Sequence, residues 1–149
     1  MRHRVKTKKL SRDKSAREAL ILSQTKLLLQ KGKLRSTTAR VKATTQFVDS
    51  LLSRLTKVDG REAVSFLEKR LKDKKFSKFV VEKIKPELKG RTSGFVSVLK
   101  LENRKGDNSS MSIARLLLVG KDKDKKAKSK TGKLVKLKKT SKKKENKKK

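Results

Sequence analysis

GFVSVLKL (residues 94–101) and MSIARLLLV (residues 111–119), with ENRKGDNSS (102–110) between them, decide the fold. Both apolar runs are rich in β-branched and aliphatic residues and are bounded by turn formers, so they read as two strands of a β-hairpin. The connection carries Gly106, Asp107 and Asn108 as turn residues, and Arg104 and Lys105 as cations. Between residue 13 and about Lys85 the chain has helical spacing, apart from one short segment.

Residues 13–31 read as a helix. Ser15 and Glu18 match a capping box, Asp13 favours the positive end of the dipole, and Gly32 is a stop signal. Ala16, Ala19, Leu20, Ser23, Leu27 and Leu28 form its expected stripe, widened by Ile21, Leu22 and Leu29. KLRS (33–36) is short enough for an edge strand. Thr37 or Thr38 then starts a second helix to about Lys57, with Val41, Thr45, Val48, Leu51, Leu52 and Leu55 on one face. Asp59 and Glu62 give another capping-box pattern for a third helix carrying Ala63, Phe66, Leu67 and Leu71. Phe76, Phe79, Val80 and Ile84 mark a fourth, which Pro86 is expected to end near Lys85. The Phe residues at helical spacing are read as core. The order is helix, short strand, three helices, hairpin, an α+β domain over residues 13–119.

The flanks differ. Residues 1–12, MRHRVKTKKLSR, are a basic N-terminal arm with three Arg and three Lys. Residues 120–149 are a low-complexity, Lys-rich tail of a kind that does not fold alone. The whole chain of 149 residues carries 47 Lys and Arg against 14 Asp and Glu, a net charge of +33. Residues 121–149 hold 16 Lys and 3 acidic residues, a net +13, so the other +20 lies in residues 1–120. The domain is itself basic. A self-repelling object of this charge calls for a polyanion, and nucleic acid is the default.

Other chemistry has little to work with. There is no Cys and a single His, His3, which removes thiolate sites, His-clustered metal sites and most nucleophile–base pairs. The acidic residues are scattered and several sit at cap positions. No phosphate-binding glycine motif is present. No apolar run approaches a membrane span, and no small-molecule substrate, catalytic residue, metal or cofactor is expected. Arg2, Arg4, Arg12, Arg17, Arg35, Arg40, Arg91 and Arg104 lie in or beside the domain, whereas the tail from residue 121 has no Arg. Arg donates bidentately to phosphate and Lys acts as a mobile point charge, so the Arg positions read as shaped contacts and the tail as non-specific attraction. With no expected surface aromatics, stacking on single strands is not expected to dominate. The rival readings are a nucleoid-type DNA-binding protein and an enzyme acting on RNA.

Three stretches go further: MRHR at the start, TTARVK at 37–42, and GRTSGFVSVLK (90–100) followed by NRKGDNSSMSIARLLL (103–118). In order and spacing they resemble the bacterial-type large-subunit ribosomal protein seventeen family over about residues 1–119. The resemblance implies a two-layer domain and a structural, rRNA-binding role without enzymatic activity. It places the protein near the peptide exit side of the large subunit, beside neighbouring ribosomal proteins. By the resemblance Arg2, His3 and Arg4 would enter rRNA as an arm, and the charge of the same arm adds Lys6, Lys8, Lys9 and Arg12 to the expected contacts. Arg35, Thr37, Thr38, Arg40 and Lys42 would contact it around the second helix start, Arg91 at a strand entry, and Arg104, Lys105 and Asn108 in the hairpin loop. Departures are Ser93-Gly94 before Phe95 where the family has Gly-Gly, Ser109-Ser110 for Ala-Pro, and Ala16 for a His. The family motif begins at Met1, where a transit peptide would displace it, so a cytoplasmic ribosome of bacterial or organelle-encoded origin is expected.

Overall fold

The computed structural model describes residues 8–88 and 90–118. The chain divides into two units, Met1–Leu117 and Leu118–Lys149. Apart from Leu118, the second lies outside the described residues, as do arm positions 1–7.

The first unit is α+β. Helix α1 (Lys14–Lys31) leads into strand β1 (Lys33–Thr37), then α2 (Thr38–Leu55), α3 (Gly60–Leu71) and α4 (Lys74–Phe79). A π turn (Val80–Ile84) and a 3-10 turn (Lys85–Leu88) follow, and β2 (Val96–Lys100) and β3 (Met111–Leu116) close the unit. The three strands form an antiparallel sheet in the order β1-β3-β2. The hairpin strands are neighbours, and β1 joins on the far side of β3, so KLRS is indeed an edge.

Gly32 lets α1 turn directly into β1. It adopts φ 69° and its N–H donates to the Leu28 carbonyl at 2.8 Å, a left-handed end that costs glycine no Cβ clash. The core is aliphatic: Leu28, Val41, Val48, Leu52, Leu55, Leu67, Val80 and Leu88 are fully buried, with Phe95 the largest side chain among them. Each such side chain contributes on the order of 1.5–3 kcal/mol relative to an exposed one. Val41, Val48, Leu51, Leu52 and Leu55 of α2 are buried as their spacing requires, with Thr44 rather than Thr45 as the polar member. Thr44 is satisfied there, its hydroxyl lying 2.7 Å from Gln24 Oε1 and 3.0 Å from the Arg40 carbonyl.

Four expectations change. The α1 stripe is rotated: Thr25, Leu28 and Leu29 are buried, whereas Ala19, Ser23 and Leu27 are exposed. Its buried residues all lie in the second half of the helix, and the apolar residues of the first half, Ala16, Ala19, Leu20, Ile21 and Leu22, stay partly or fully exposed. Neither capping box forms. Asp13 caps α1 by accepting from the Ala16 N–H at 3.5 Å, and the Ser15 hydroxyl donates to that same carboxylate. Asp59 makes no cap bond, because Lys85 pairs with its carboxylate while also donating to the Val58 carbonyl at 2.6 Å. The α-helical part of the fourth helix ends early, at Phe79; a π turn carries the helical run to Ile84, beside the expected stop near Lys85, and Pro86 then sits in a 3-10 turn, where a missing N–H and a fixed φ are tolerated near the start of a turn. Finally, Phe66, Phe76 and Phe79 are half-buried rather than core. Leu side chains from three helices and Phe95 already fill the interior, so the larger rings overhang its rim. Phe76 and Phe79 stack at 5.7 Å, and the Arg54 guanidinium lies 5.8 Å from the Phe66 ring centre.

Candidate nucleic-acid interface

The sheet brings the start of α2 and the hairpin loop to one place. Thr37 pairs with Met111 in the β1–β3 register. The Thr38 N–H donates to the Ser110 carbonyl at 2.9 Å, and the Thr38 and Ser112 hydroxyls lie 2.8 Å apart. Thr37, Thr38, Arg40 and the loop bearing Arg104, Lys105 and Asn108 therefore share one end of the sheet. Lys42 follows on α2 and is exposed.

That helix start is electrostatically open. Thr37 occupies the N-cap with no side-chain cap bond, and no acidic residue stands in the first turn. Beyond Thr38, whose N–H is taken by Ser110, the first-turn N–H groups carry the positive end of the helix dipole. Arg40 adds a like charge, at a cost that an anion would offset.

The loop is folded on itself. The Arg104 N–H donates to the Ser109 carbonyl at 2.9 Å, and the Asn103 amide donates to Asn108 Oδ1 at 2.9 Å. The Arg104 fork grips Asp107, with Nε 3.0 Å from Oδ1 and Nη2 on Oδ2. Ser109 donates to the same carboxylate from its hydroxyl at 2.8 Å. Arg104, and after it Ser109, hold the Asp107 carboxyl well below the usual range. Arg104 and Asn108 thus shape the loop through these bonds while both remain exposed. Lys105 is exposed and belongs to none of the ion pairs among the described residues. Glu102 is the loop's other acid.

Strand alternation separates two faces. Leu34 and Ala114 point to the helices and are buried. Arg35, Ile113 and Leu99 lie in register on the opposite face, beside a second row of Lys33, Arg115 and Ser97. Arg35 therefore belongs to an open basic face, together with Lys33 and Arg115. Sequence reasoning missed these two, although the same alternation in KLRS and MSIARL points them outward.

The remaining candidates are dispersed. Lys8, Lys9 and Arg12 are exposed in a turn before α1, where the Arg12 N–H donates to the Lys9 carbonyl at 3.2 Å. Arg91 stands at the other end of the sheet, before β2, beside a hollow of about 550 Å³ shared with Lys57 and Lys85. Arg2, His3, Arg4 and Lys6 lie outside the described residues. Among the described residues no group of His, Cys, Asp and Glu could hold a metal ion, and no helix is long and apolar enough to cross a membrane.

The sequence profile of the family described as Ribosomal protein L17 matches residues 20–117, more than half of the chain and nearly all of its described elements. The chain belongs to the ribosomal protein L17 family. It is similar to the large ribosomal subunit protein bL17 of Sulfurihydrogenibium sp. (strain YO3AOP1), with 40% identity over 114 residues, 76% of this chain and 93% of that protein. It is similar also to the bL17 proteins of Persephonella marina, with 37% identity over 76% of this chain and 92% of that one, and of Petrotoga mobilis, with 34% identity over 78% and 97%. The L17 profile spans both halves of the open end, the α2 start and the hairpin. It stops before the Lys-rich tail, which is additional to the matched family region.

Proposed function

We propose that this chain, by its family a structural protein of the large ribosomal subunit and not an enzyme, binds folded large-subunit rRNA by its phosphate path and shape. Its place of work is the ribosome, in the cytoplasm. The observation that carries the reading is the bonding of Thr38 to Ser110 and Ser112. It sets a helix start that lacks a side-chain cap, with Arg40, beside the loop of Lys105, a junction suited to a phosphate. Arg35, Lys33 and Arg115 extend the basic surface across the open sheet face, and Lys42 extends it along α2. Arg2, His3, Arg4, Lys6, Lys8, Lys9 and Arg12 supply an arm to the same RNA, and Arg91 makes a separate contact. The neighbours are other large-subunit proteins near the peptide exit side.

The test is binding of the full chain to a large-subunit rRNA fragment across a salt series. The Arg40→Ala/Lys105→Ala double variant should bind more weakly and lower the salt slope by roughly 0.9 for each duplex phosphate that is no longer neutralised. Its circular dichroism and melting should match the parent, since neither side chain is core. An unchanged slope would remove this end of the sheet from the interface. Equal affinity for duplex DNA would overturn the rRNA reading itself.

A further inference from the structure

A second feature lies away from the open end of the sheet. Helices α1, α2 and α3 enclose a cleft of about 310 Å³ whose floor is Ile21, Leu22 and Phe47 and whose rim carries Lys69, Arg70 and Lys72. Phe47 and Arg70 also line an adjoining hollow of about 60 Å³, with Phe66 and Arg54 on its far side. Sharing Phe47 and Arg70 in their linings, the two hollows are read as one groove. Phe47 and Phe66 are half-buried in it, and Arg54 and the three rim cations are exposed. The ion pairs found among the described residues are Lys26–Asp73, Lys85–Asp59 and Arg104–Asp107, so none neutralises the rim. Glu18 is the single acid at the opening.

We propose that this groove takes one unpaired nucleotide of a folded RNA, with its base on Phe47 and the flanking phosphates on Lys69, Arg70 and Lys72. The proposal rests on the rRNA-binding reading above and adds a site to it. The charge decides the class of ligand. An apolar floor with a π face meets a base, and a ring of unneutralised cations meets the phosphates on either side. An uncharged apolar side chain would leave the cations unused. A continuous duplex cannot enter, because its bases are stacked inside it. The 310 Å³ volume admits a base with its sugar. The rotated α1 stripe gives the groove its floor: the core takes Leu28 and Leu29 and leaves Ile21 and Leu22 half-buried beside Phe47.

The test compares two RNA hairpins, one fully paired and one with a single bulged 5-iodouridine, each bound to the full chain and then irradiated. The bulged hairpin should bind about tenfold tighter, as one base–aromatic stack supplies, and the crosslink should map to Phe47. Phe47→Leu keeps an apolar floor and the fold but removes the ring. It should abolish the preference for the bulge and leave the paired hairpin bound as before. Lys69→Ala/Lys72→Ala should weaken bulge binding several-fold without changing the melting temperature. Equal binding of both hairpins by the parent chain overturns the groove and leaves the general RNA reading standing. Binding of neither overturns both. If a Glu-rich peptide displaces the bulged hairpin from the crosslink position and itself crosslinks there with higher affinity, the groove is a protein-docking site and the proposal fails.

Discussion

At the residue scale, acidic side chains find partners far along the chain. Asp49 of α2 accepts the Phe95 N–H at 3.0 Å and so fixes the entry to β2 against the helix layer. Phe95 is fully buried, so Asp49→Ala leaves its N–H without that partner. The expected cost is about 1–3 kcal/mol, read as a lowered denaturant midpoint with an unchanged slope. The acids also set the pH response. Asp13 (held by Ser15 and the Ala16 N–H), Asp59 (by Lys85), Asp73 (by the Phe76 N–H and Lys26) and Asp107 (by Arg104) all have lowered pKa values. A carboxyl with a depressed folded pKa stabilises above its unfolded value near 3.8 and loses that as pH falls through the folded value. Burial raises Asp49 instead, so its contribution has the opposite sign and is lost as pH rises through its folded value. The four outweigh the one, and each proton taken up also adds to a charge of +33. The melting temperature should therefore be level near neutrality and fall below about pH 4. A melt that rises on acidification would contradict this pairing scheme.

At the scale of elements, α1 separates periodicity from packing. Leu27 and Leu28 both belong to the stripe that spacing suggests, yet Leu27 is 39% exposed and Leu28 is 0% exposed. Leu28→Ala should cost about 2–5 kcal/mol as a core truncation. Leu27→Lys should change stability by no more than about 0.5 kcal/mol. Similar losses for the two, measured by chemical denaturation, would restore the unrotated stripe. In α2 the two descriptions agree, because it is covered along its length by the sheet, α1 and α3. The hairpin was equally readable, since both strands and the turn chemistry are local. Its loop function was not, because nothing in RKGDN announces that Arg104 closes on Asp107 rather than facing outward.

For the whole molecule, charge is the dominant quantity. Deleting residues 121–149 removes a net +13 and should lower the salt slope of RNA binding, since released counterions scale with the phosphates neutralised. The slope is read from affinities at several salt concentrations, and an unchanged value would mean that the tail touches no phosphate. The sequence by itself determined the strongly basic character, the helix order, the Gly32 turn, the buried face of α2, the hairpin and the family. Each depends on composition, on a repeat within one element or on a motif preserved in order. Only the tertiary structure decided that β3 is central with β1 beyond it, and that Lys85 draws Asp59 from its cap. It alone turned α1 about its axis and left Phe47, Phe66, Phe76 and Phe79 half-exposed. These outcomes are competitions between distant groups for one partner or one volume, and the periodicity of a single element carries no information about its competitors.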